Sequence, residues 1–271
     1  DLWNKGFHFG DWLSYMQDND LMGRSAITDK YLIAQCFYAH STQLLVNAAR
    51  VLGKTEDITT YTTLLGRIKA AFAREYLTAS GRLVSGTQTA YVLALQFDML
   101  PENLRHQAAD RLVENIKSYN NHLSTGFLGT PYLCEVLSRF GKTAVAYDLL
   151  LQEDFPSWLY PVKMGATTIW ERWNGIRPDG TFEPASMNSF NHYAYGAIGD
   201  WLYRRVVGLD NEEGSVGYKK MRIRPHIGRG LTHASVQYET RYGTVRTGWK
   251  LDGDTLLVGA EIPPNTTATV Y

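Results

Sequence analysis

Residues 28–53 read TDKYLIAQCFYAHSTQLLVNAARVLG, and their apolar side chains recur at the three- and four-residue spacing of an α-helix. Gly53 follows where a helix C-cap is expected, so the spacing predicts one long helix over residues 28–50. Residues 55–76 repeat the pattern after a Thr-Glu-Asp start that suits a first helical turn. The two segments therefore predict an antiparallel helical hairpin.

Downstream of this hairpin the same alternation of helical segments and short connections continues. Further helices are predicted over residues 87–99, 101–116, 130–140, 142–152 and 190–207, which gives about seven in all. Paired antiparallel helices with longer loops between pairs are typical of an (α/α)₆ toroid, in which inner helices line a funnel and loops at one end build the site. Periodicity alone does not exclude a plain helical bundle.

After Gly208 the pattern changes to alternating apolar and polar residues, with turns at 242–243 and 252–253. This alternation predicts antiparallel strands in a small β-sandwich. We therefore expect two domains: a partial toroid over residues 1–209 and a β-sandwich over residues 210–271, in a chain that is mainly α. The chain begins without Met and stops within a strand-like run, which favours a piece of a longer polypeptide.

Charge and composition narrow the class of partner. The chain has 27 Lys and Arg against 27 Asp and Glu, and it has no long basic run. Binding to nucleic acid or to an anionic membrane surface is therefore not expected, and an uncharged partner is favoured. No apolar stretch approaches the roughly 20 residues of a membrane span. Cys36 and Cys134 lack metal-ligand spacing, so neither a metal nor a cofactor is predicted.

The densest group of chemical side chains lies in GATTIWERWNG, residues 165–175, where Glu171 stands between Trp170 and Trp173. Desolvation by the indoles would raise the pKa of this carboxyl, and a nearby Arg172 would lower it. An indole face also suits the apolar face of a sugar ring. We interpret Glu171 as catalytic and both tryptophans as sugar-binding; a solvated Glu171–Arg172 pair with two core tryptophans is the alternative.

Two further segments carry candidate binding residues. MNSFNHYAYG, residues 187–196, supplies neutral donors and acceptors for sugar hydroxyls, and His192 is its best candidate; a capped helix start is the structural alternative. FGDWL, residues 9–13, places Asp11 beside Trp12. The Asp11 carboxylate either orients a substrate hydroxyl or caps a helix, and the sequence does not separate these two roles.

Together with HLSTGFLGTPYL (122–133) and PSWLYPV (156–162), these motifs resemble glycoside hydrolase family 78, the bacterial and fungal α-L-rhamnosidases, over essentially the whole chain. The resemblance implies an (α/α)₆ barrel followed by a β-sandwich, and hydrolysis of terminal α-linked L-rhamnose with inversion at the anomeric carbon. It implies that Glu171 is the general base. It also implies that Asp11, Trp12 and His192 contact the sugar.

The chain departs from this family in one respect. The family's general acid is a glutamate in an Asp-x-x-x-Arg-Asp-Glu-Arg block N-terminal to the Gly-Asp-Trp motif, and that block is absent here. An inverting hydrolase needs both carboxyls, so we expect the chain alone to be inactive or nearly so, and to work with the remaining N-terminal part of the same polypeptide.

Two other functions stay open at this stage. One is a different toroid enzyme, either a hydrolase of another glycan or a polysaccharide lyase that uses a Tyr, His and Arg constellation on a uronate. The other is a non-catalytic carbohydrate-binding protein. The compartment is also left open, with a secreted or periplasmic location slightly favoured.

Overall fold

The computed structural model describes residues 1–15 and 28–271. These residues form eight α-helices, α1 to α8: Lys30–Val51, Thr55–Tyr76, Gln88–Gln96, Glu102–Ser118, Thr130–Arg139, Thr143–Leu150, Leu159–Lys163 and Ile198–Trp201. The first six match the predicted helices to within a few residues. The short α7 was not predicted. No helix in the described part of the chain is both long enough and apolar enough to cross a membrane.

The helices pack as successive hairpins. The helix pairs α1 with α2, α3 with α4, and α5 with α6 make the largest contacts between helices. Helix α3 also contacts α1 and α5, and α5 contacts α8. These four helices form a row, and α2, α4 and α6 lie outside it. This arrangement is the partial six-hairpin toroid that the hairpin pattern predicted. Helix α3 lies in the middle of the row, and all its residues from Gln88 to Leu95 are buried.

Local capping explains where these helices begin. The Asp29 carboxylate accepts a hydrogen bond from the Leu32 N–H at 2.8 Å at the start of α1. The Thr87 hydroxyl accepts one from the Ala90 N–H at 3.3 Å at the start of α3. Each of these side chains satisfies one of the four backbone donors that the first turn of a helix leaves unpaired.

The helix predicted over residues 190–207 begins later than expected. Residues 190–193 are not helical, because they pair with the segment around Ile169. Helical structure begins with the 3₁₀ turn Ala194–Ala197, continues through α8 and ends as the π-helical segment Leu202–Val207. Gly208 then reverses the chain with φ of 91°, a conformation that glycine adopts without strain.

Beyond Gly208 the chain forms six strands, β1 to β6: Leu209–Asn211, Lys220–Ile223, His233–Thr240, Gly243–Asp252, Thr255–Glu261 and Thr267–Val270. They make two three-stranded sheets, in the orders β1-β2-β6 and β3-β4-β5. The second sheet is antiparallel throughout. The prediction of purely antiparallel pairing is wrong for one pair, since β2 and β6 run parallel. Strand β1 was not predicted.

The strand region packs directly against the helices. The Trp249 indole N–H of β4 donates to the Val206 carbonyl at 2.7 Å, at the end of the π-helical segment. The Tyr147 hydroxyl of α6 donates to the His226 carbonyl at 2.8 Å. Arg205 makes a two-point ion pair with Glu135 of α5, and this pairing outweighs the effect of burial and lowers the pKa of the Glu135 carboxyl. The helices and sheets therefore share one packed boundary.

One buried carboxylate joins the N-terminal segment to the loop before α5. The Asp11 side chain is fully buried and accepts hydrogen bonds from the backbone N–H groups of three loop residues and from one hydroxyl. The donors are Gly126 at 2.8 Å, Leu128 at 2.7 Å, Gly129 at 3.2 Å and the Thr89 hydroxyl. Burial raises the pKa of the Asp11 carboxyl, and the four hydrogen bonds act in the opposite direction.

Replacing Asp11 by Asn should destabilise this junction. Asn carries an NH₂ group in place of one of the two acceptor oxygens of Asp. This NH₂ group would face the buried backbone N–H donors without an acceptor between them. We expect Asp11→Asn to lower the free energy of unfolding by about 2–4 kcal/mol, as measured by urea denaturation. Asp57→Asn, at an exposed position of α2, should change it by less than about 0.5 kcal/mol. Equal stabilities of the two variants would show that the four hydrogen bonds at Asp11 contribute little.

Candidate functional site

Two chain segments lie side by side and carry the main candidate residues. The Glu171 N–H donates to the Ser189 carbonyl at 2.8 Å, and the His192 N–H donates to the Ile169 carbonyl at 2.9 Å. The Thr168 hydroxyl donates to the Phe190 carbonyl and adds a third link. The fold therefore brings Glu171 and His192, which are 21 positions apart in sequence, onto adjoining segments.

Within residues 1–15 and 28–271, the Glu171 carboxylate is held at one of its two oxygens. Its Oε2 atom accepts a hydrogen bond from the Ser189 N–H at 2.9 Å. Among the described residues no hydrogen-bond donor and no ion-pair partner is assigned to Oε1, and the side chain is half-buried. The contact at Oε2 thus fixes the orientation of the carboxylate.

The chain between these two segments folds into a small hairpin. Ile176 and Phe182 form an antiparallel bridge, and the Asn188 amide donates to the Gly175 carbonyl at 2.9 Å. A side chain at Gly175 would collide with its surroundings, since a Cβ there would lie 2.8 Å from Asn188 Oδ1 and 3.0 Å from the Trp170 ring. The Asn-Gly step that follows Trp173 is therefore required by close packing.

Stacking and a backbone contact orient the His192 ring. It stacks on Phe127, with centroids 4.9 Å apart and planes 28° apart, and on Tyr193 at 5.5 Å and 6°. Its Nδ1 atom accepts a hydrogen bond from the Ala194 N–H at 3.3 Å. In the neutral ring this contact assigns the proton to Nε2, which leaves Nε2 as a hydrogen-bond donor.

Tyr195 connects the separate parts of the site. Its ring stacks on Trp173 at 3.8 Å and meets Phe127 edge-on at 5.3 Å. Its carbonyl accepts the Trp158 indole N–H at 3.0 Å, and its hydroxyl donates to the Leu13 carbonyl at 3.4 Å. Burial, and then the negative charge of Asp11, raise the pKa of the Tyr195 hydroxyl well above its usual value. The phenol is therefore neutral and structural.

The predicted binding residues divide into two groups by exposure. Trp12 and His192 are partly exposed. Asp11 is fully buried, while Trp170 and Trp173 are each 5% exposed. The Trp170 ring packs edge-on against Phe190 at 5.0 Å, and Trp173 packs between Tyr195 and Trp158. Aromatic rings pack against both indoles, and backbone N–H groups donate to both oxygens of Asp11. Sugar contact by these three side chains stays a prediction.

Several residues of this cluster were not singled out from the sequence. Phe127 lies in a segment that we interpreted as a helix entry, and Trp158 lies in one that we interpreted as either a packed loop or a sugar-stacking site. Tyr195 belongs to the MNSFNHYAYG motif, which supplied a signal. Glu183, in contrast, stands alone between Phe182 and Pro184, and no motif marks it.

The described residues around Trp173 form a wall rather than an enclosed pocket. Two cavities border its ring, with volumes of ≈ 20 Å³ and ≈ 40 Å³. Cavities of this size hold water molecules, whereas small-molecule sites usually measure about 300–1,000 Å³. Within residues 1–15 and 28–271 no group of three or more His, Cys, Asp or Glu side chains is arranged to hold a metal ion.

Comparison with known proteins agrees with this architecture. An α-L-rhamnosidase of Streptomyces avermitilis is 44% identical over 263 residues, which cover 97% of this chain and 24% of that protein. The crystal structure of a Streptomyces avermitilis α-L-rhamnosidase complexed with L-rhamnose superposes with a TM-score of 0.90 at 43% identity, over 99% of this chain and 25% of that one.

A fungal structure is equally similar in fold. The native α-L-rhamnosidase of Aspergillus terreus gives a TM-score of 0.93 at 38% identity, over 99% of this chain and 31% of that one. This chain thus spans about a quarter to a third of the length of these relatives.

Two family models together account for nearly every residue. Residues 1–206 match the bacterial α-L-rhamnosidase six-hairpin glycosidase domain, and residues 208–271 match the bacterial α-L-rhamnosidase C-terminal domain. The hairpin row, the paired segments around Glu171 and the two small sheets are therefore those of a known family, and this chain belongs to the bacterial α-L-rhamnosidases.

Proposed function

We propose that this chain supplies the general base and part of the sugar-binding wall of an inverting α-L-rhamnosidase, working as part of a longer polypeptide. The state of the Glu171 carboxylate supports this proposal most directly. Its Oε2 atom is fixed by the Ser189 N–H, and its Oε1 atom has no assigned partner among the described residues. A general base needs this combination of a fixed orientation and one available lone pair.

The chemistry follows from these positions. Glu171 Oε1 takes a proton from a water molecule while the water oxygen forms a bond to the anomeric carbon. The bond from that carbon to the glycosidic oxygen breaks on the opposite face, and the departing oxygen takes a proton from a carboxylic acid. In inverting enzymes the two carboxyls stand about 6.5–9.5 Å apart to leave room for the water. We propose that the acid lies outside residues 1–271, as the resemblance implies.

The exposed candidates fit a neutral deoxy sugar. His192 Nε2–H is free to donate to a ring hydroxyl, since Nδ1 is occupied by the Ala194 N–H. Trp12 is half-exposed and offers an apolar face to the sugar ring or its methyl group. We propose supporting roles for Asp11, Trp170 and Trp173, which hold the loops that present His192 and Glu171.

The geometry argues against the lyase alternative. A Tyr base on a uronate needs an accessible phenol with a lowered pKa and nearby cations to bind the carboxylate. Tyr195 is buried with a raised pKa, and the Arg172 guanidinium lies near Asn174 and Glu183. A non-catalytic binding protein would hydrolyse no rhamnoside at all. Hydrolysis by the full-length protein that is lost on substitution of Glu171 therefore separates that alternative from our proposal.

Replacing Glu171 by Gln in the full-length protein should remove the base while keeping its shape. We expect kcat for a nitrophenyl α-L-rhamnoside to fall about 10²–10⁴-fold, with KM changed only a few-fold. Azide should restore turnover in Glu171→Gln and yield a glycosyl azide of inverted configuration, because an anion needs no general base. Glu114→Gln, at an exposed position of α4, is the matched control and should behave like the parent. Full activity of Glu171→Gln would rule out the proposed base.

The isolated chain of residues 1–271 should not hydrolyse the same substrate. A missing acid removes about 10²–10⁴-fold in rate, so nitrophenol release should not exceed that of its own Glu171→Gln variant. Turnover that disappears in this variant would show that a residue within the chain acts as the acid.

Replacing His192 by Ala should weaken substrate recognition. Loss of the Nε2 donor is expected to lower kcat/KM about 10–10²-fold in the full-length protein, as measured by initial rates. His106→Ala, which removes an exposed imidazole of the outer helix α4 that packs on Phe140, serves as the control. A value of kcat/KM equal to that of the control would exclude His192 from sugar binding.

A further inference from the structure

Glu183 is a buried carboxylate that the proposed reaction does not use. It closes the hairpin between Trp173 and Asn188, and its own N–H donates to the Gly175 carbonyl at 3.2 Å. The side chain is only 8% exposed. A charged group at this depth is costly unless it is paired, so its partners indicate what it does.

Two arginines and one amide surround the Glu183 carboxylate. Arg177 binds both oxygens, with Nε at 3.1 Å from Oε1 and Nη2 at 3.0 Å from Oε2. The Asn174 amide donates to Oε1 at 2.8 Å, and Arg172 Nη2 lies 3.9 Å from the same oxygen. Arg177 is 40% exposed, whereas Arg172 is as deeply buried as Glu183. Glu183 is thus the counter-charge for a buried guanidinium.

That guanidinium belongs to the residue next to the proposed base. Arg172 directs its Nε toward the side-chain oxygen Oδ1 of Asn174, at 3.3 Å, and its Nη2 toward Glu183. Among the described residues no ion pair joins Arg172 to Glu171 within 4.0 Å. Since a bidentate pair with a guanidinium would occupy both oxygens of Glu171, this separation preserves the available Oε1 atom.

We propose that Glu183 is a positioning residue that holds the Arg172 guanidinium away from Glu171, and so keeps the base free to take a proton. This inference rests on the proposed role of Glu171. Without the Glu183 charge, the nearest carboxylate in sequence to Arg172 is Glu171 itself. An ion pair there would block Oε1 and would favour the charged form of the Glu171 carboxyl.

Other titratable groups also surround the base. His192 lies on the adjoining segment, and Tyr195 lies where the charges of Asp11, Arg172 and Glu171 all act on it. Arg177 faces Glu183 from the far side of the hairpin. Glu183 can be tested separately from His192, Tyr195 and Asp11, because its carboxylate contacts Arg172, Arg177 and Asn174 instead.

The test is the pH dependence of kcat/KM for Glu183→Gln in the full-length protein, with nitrophenyl α-L-rhamnoside as substrate. We expect kcat to fall about 10–10²-fold, KM to change less than about 3-fold, and the acidic limb of the profile to move to lower pH by about one unit. Arg177→Met is the matched control, because it removes the half-exposed partner of Glu183 and leaves Arg172 held. Its acidic limb should stay in place.

A double variant tests whether Glu183 acts through Arg172. In an Arg172→Met background, adding Glu183→Gln should change kcat by less than about 3-fold, because no guanidinium remains to be restrained. If Glu183→Gln does not fold, Asn174→Ala provides the second route, since it removes the other acceptor of Arg172 and keeps the buried charge. It should move the acidic limb in the same direction by a smaller amount.

The outcomes separate this inference from the proposed function. A fall in kcat with an unmoved acidic limb, or equal losses from Glu183→Gln with and without Arg172, would mean that Glu183 is merely structural and would overturn the inference. In that case an inactive Glu171→Gln variant would still support Glu171 as the base. An active Glu171→Gln variant would instead remove the proposed function itself.

Discussion

The reciprocal hydrogen bonds between Glu171 and Ser189 are the constraint on which the site depends. The backbone N–H of Glu171 donates to the Ser189 carbonyl, and the Ser189 N–H donates to the Glu171 carboxylate. One residue thus fixes both the main chain and the side chain of the proposed base. Because the same segment continues to His192, one set of backbone contacts positions both the proposed base and the proposed sugar-binding imidazole.

Two buried carboxylates near this pair, those of Asp11 and Glu183, bind neighbouring protein groups. Asp11 accepts three hydrogen bonds from the loop that carries Phe127 and one from the Thr89 hydroxyl, and Phe127 stacks on the His192 ring. In the intervening hairpin, Glu183 forms ion pairs with the guanidinium groups of Arg177 and Arg172. Buried carboxylates satisfied by several donors rigidify a site, whereas a carboxylate with an available oxygen can act chemically. This contrast distinguishes Glu171 from its two acidic neighbours.

The sequence predicted the first six helices well because apolar residues recur in them at helical spacing and short turn segments separate them. It failed at residues 190–193, where pairing with a distant segment overrides local helical preference. Motif density singled out Glu171, His192 and Trp12 as candidates, and their roles stay predictions. The sequence did not reveal that Asp11, Trp170 and Trp173 are buried, because burial depends on partners such as Thr89, Phe190 and Tyr195 that lie far apart along the chain.

The helical run from Ala194 to Val207 begins two residues after His192. Near its end, the Val206 carbonyl accepts a hydrogen bond from the Trp249 indole of the sheet region. A continuous helical run therefore joins the segment of His192, the proposed sugar-binding residue, to the C-terminal sheets. Gly208 makes the bend compact, since a Cβ there would lie 2.3 Å from the Pro225 nitrogen. In a chimaera that exchanges the C-terminal sheets between relatives, the crossover point matters. A junction at residue 208 would separate this helical run from its own Trp249 and Pro225. A junction that keeps both residues with their own helix would preserve the contacts that hold the helix behind the His192 imidazole.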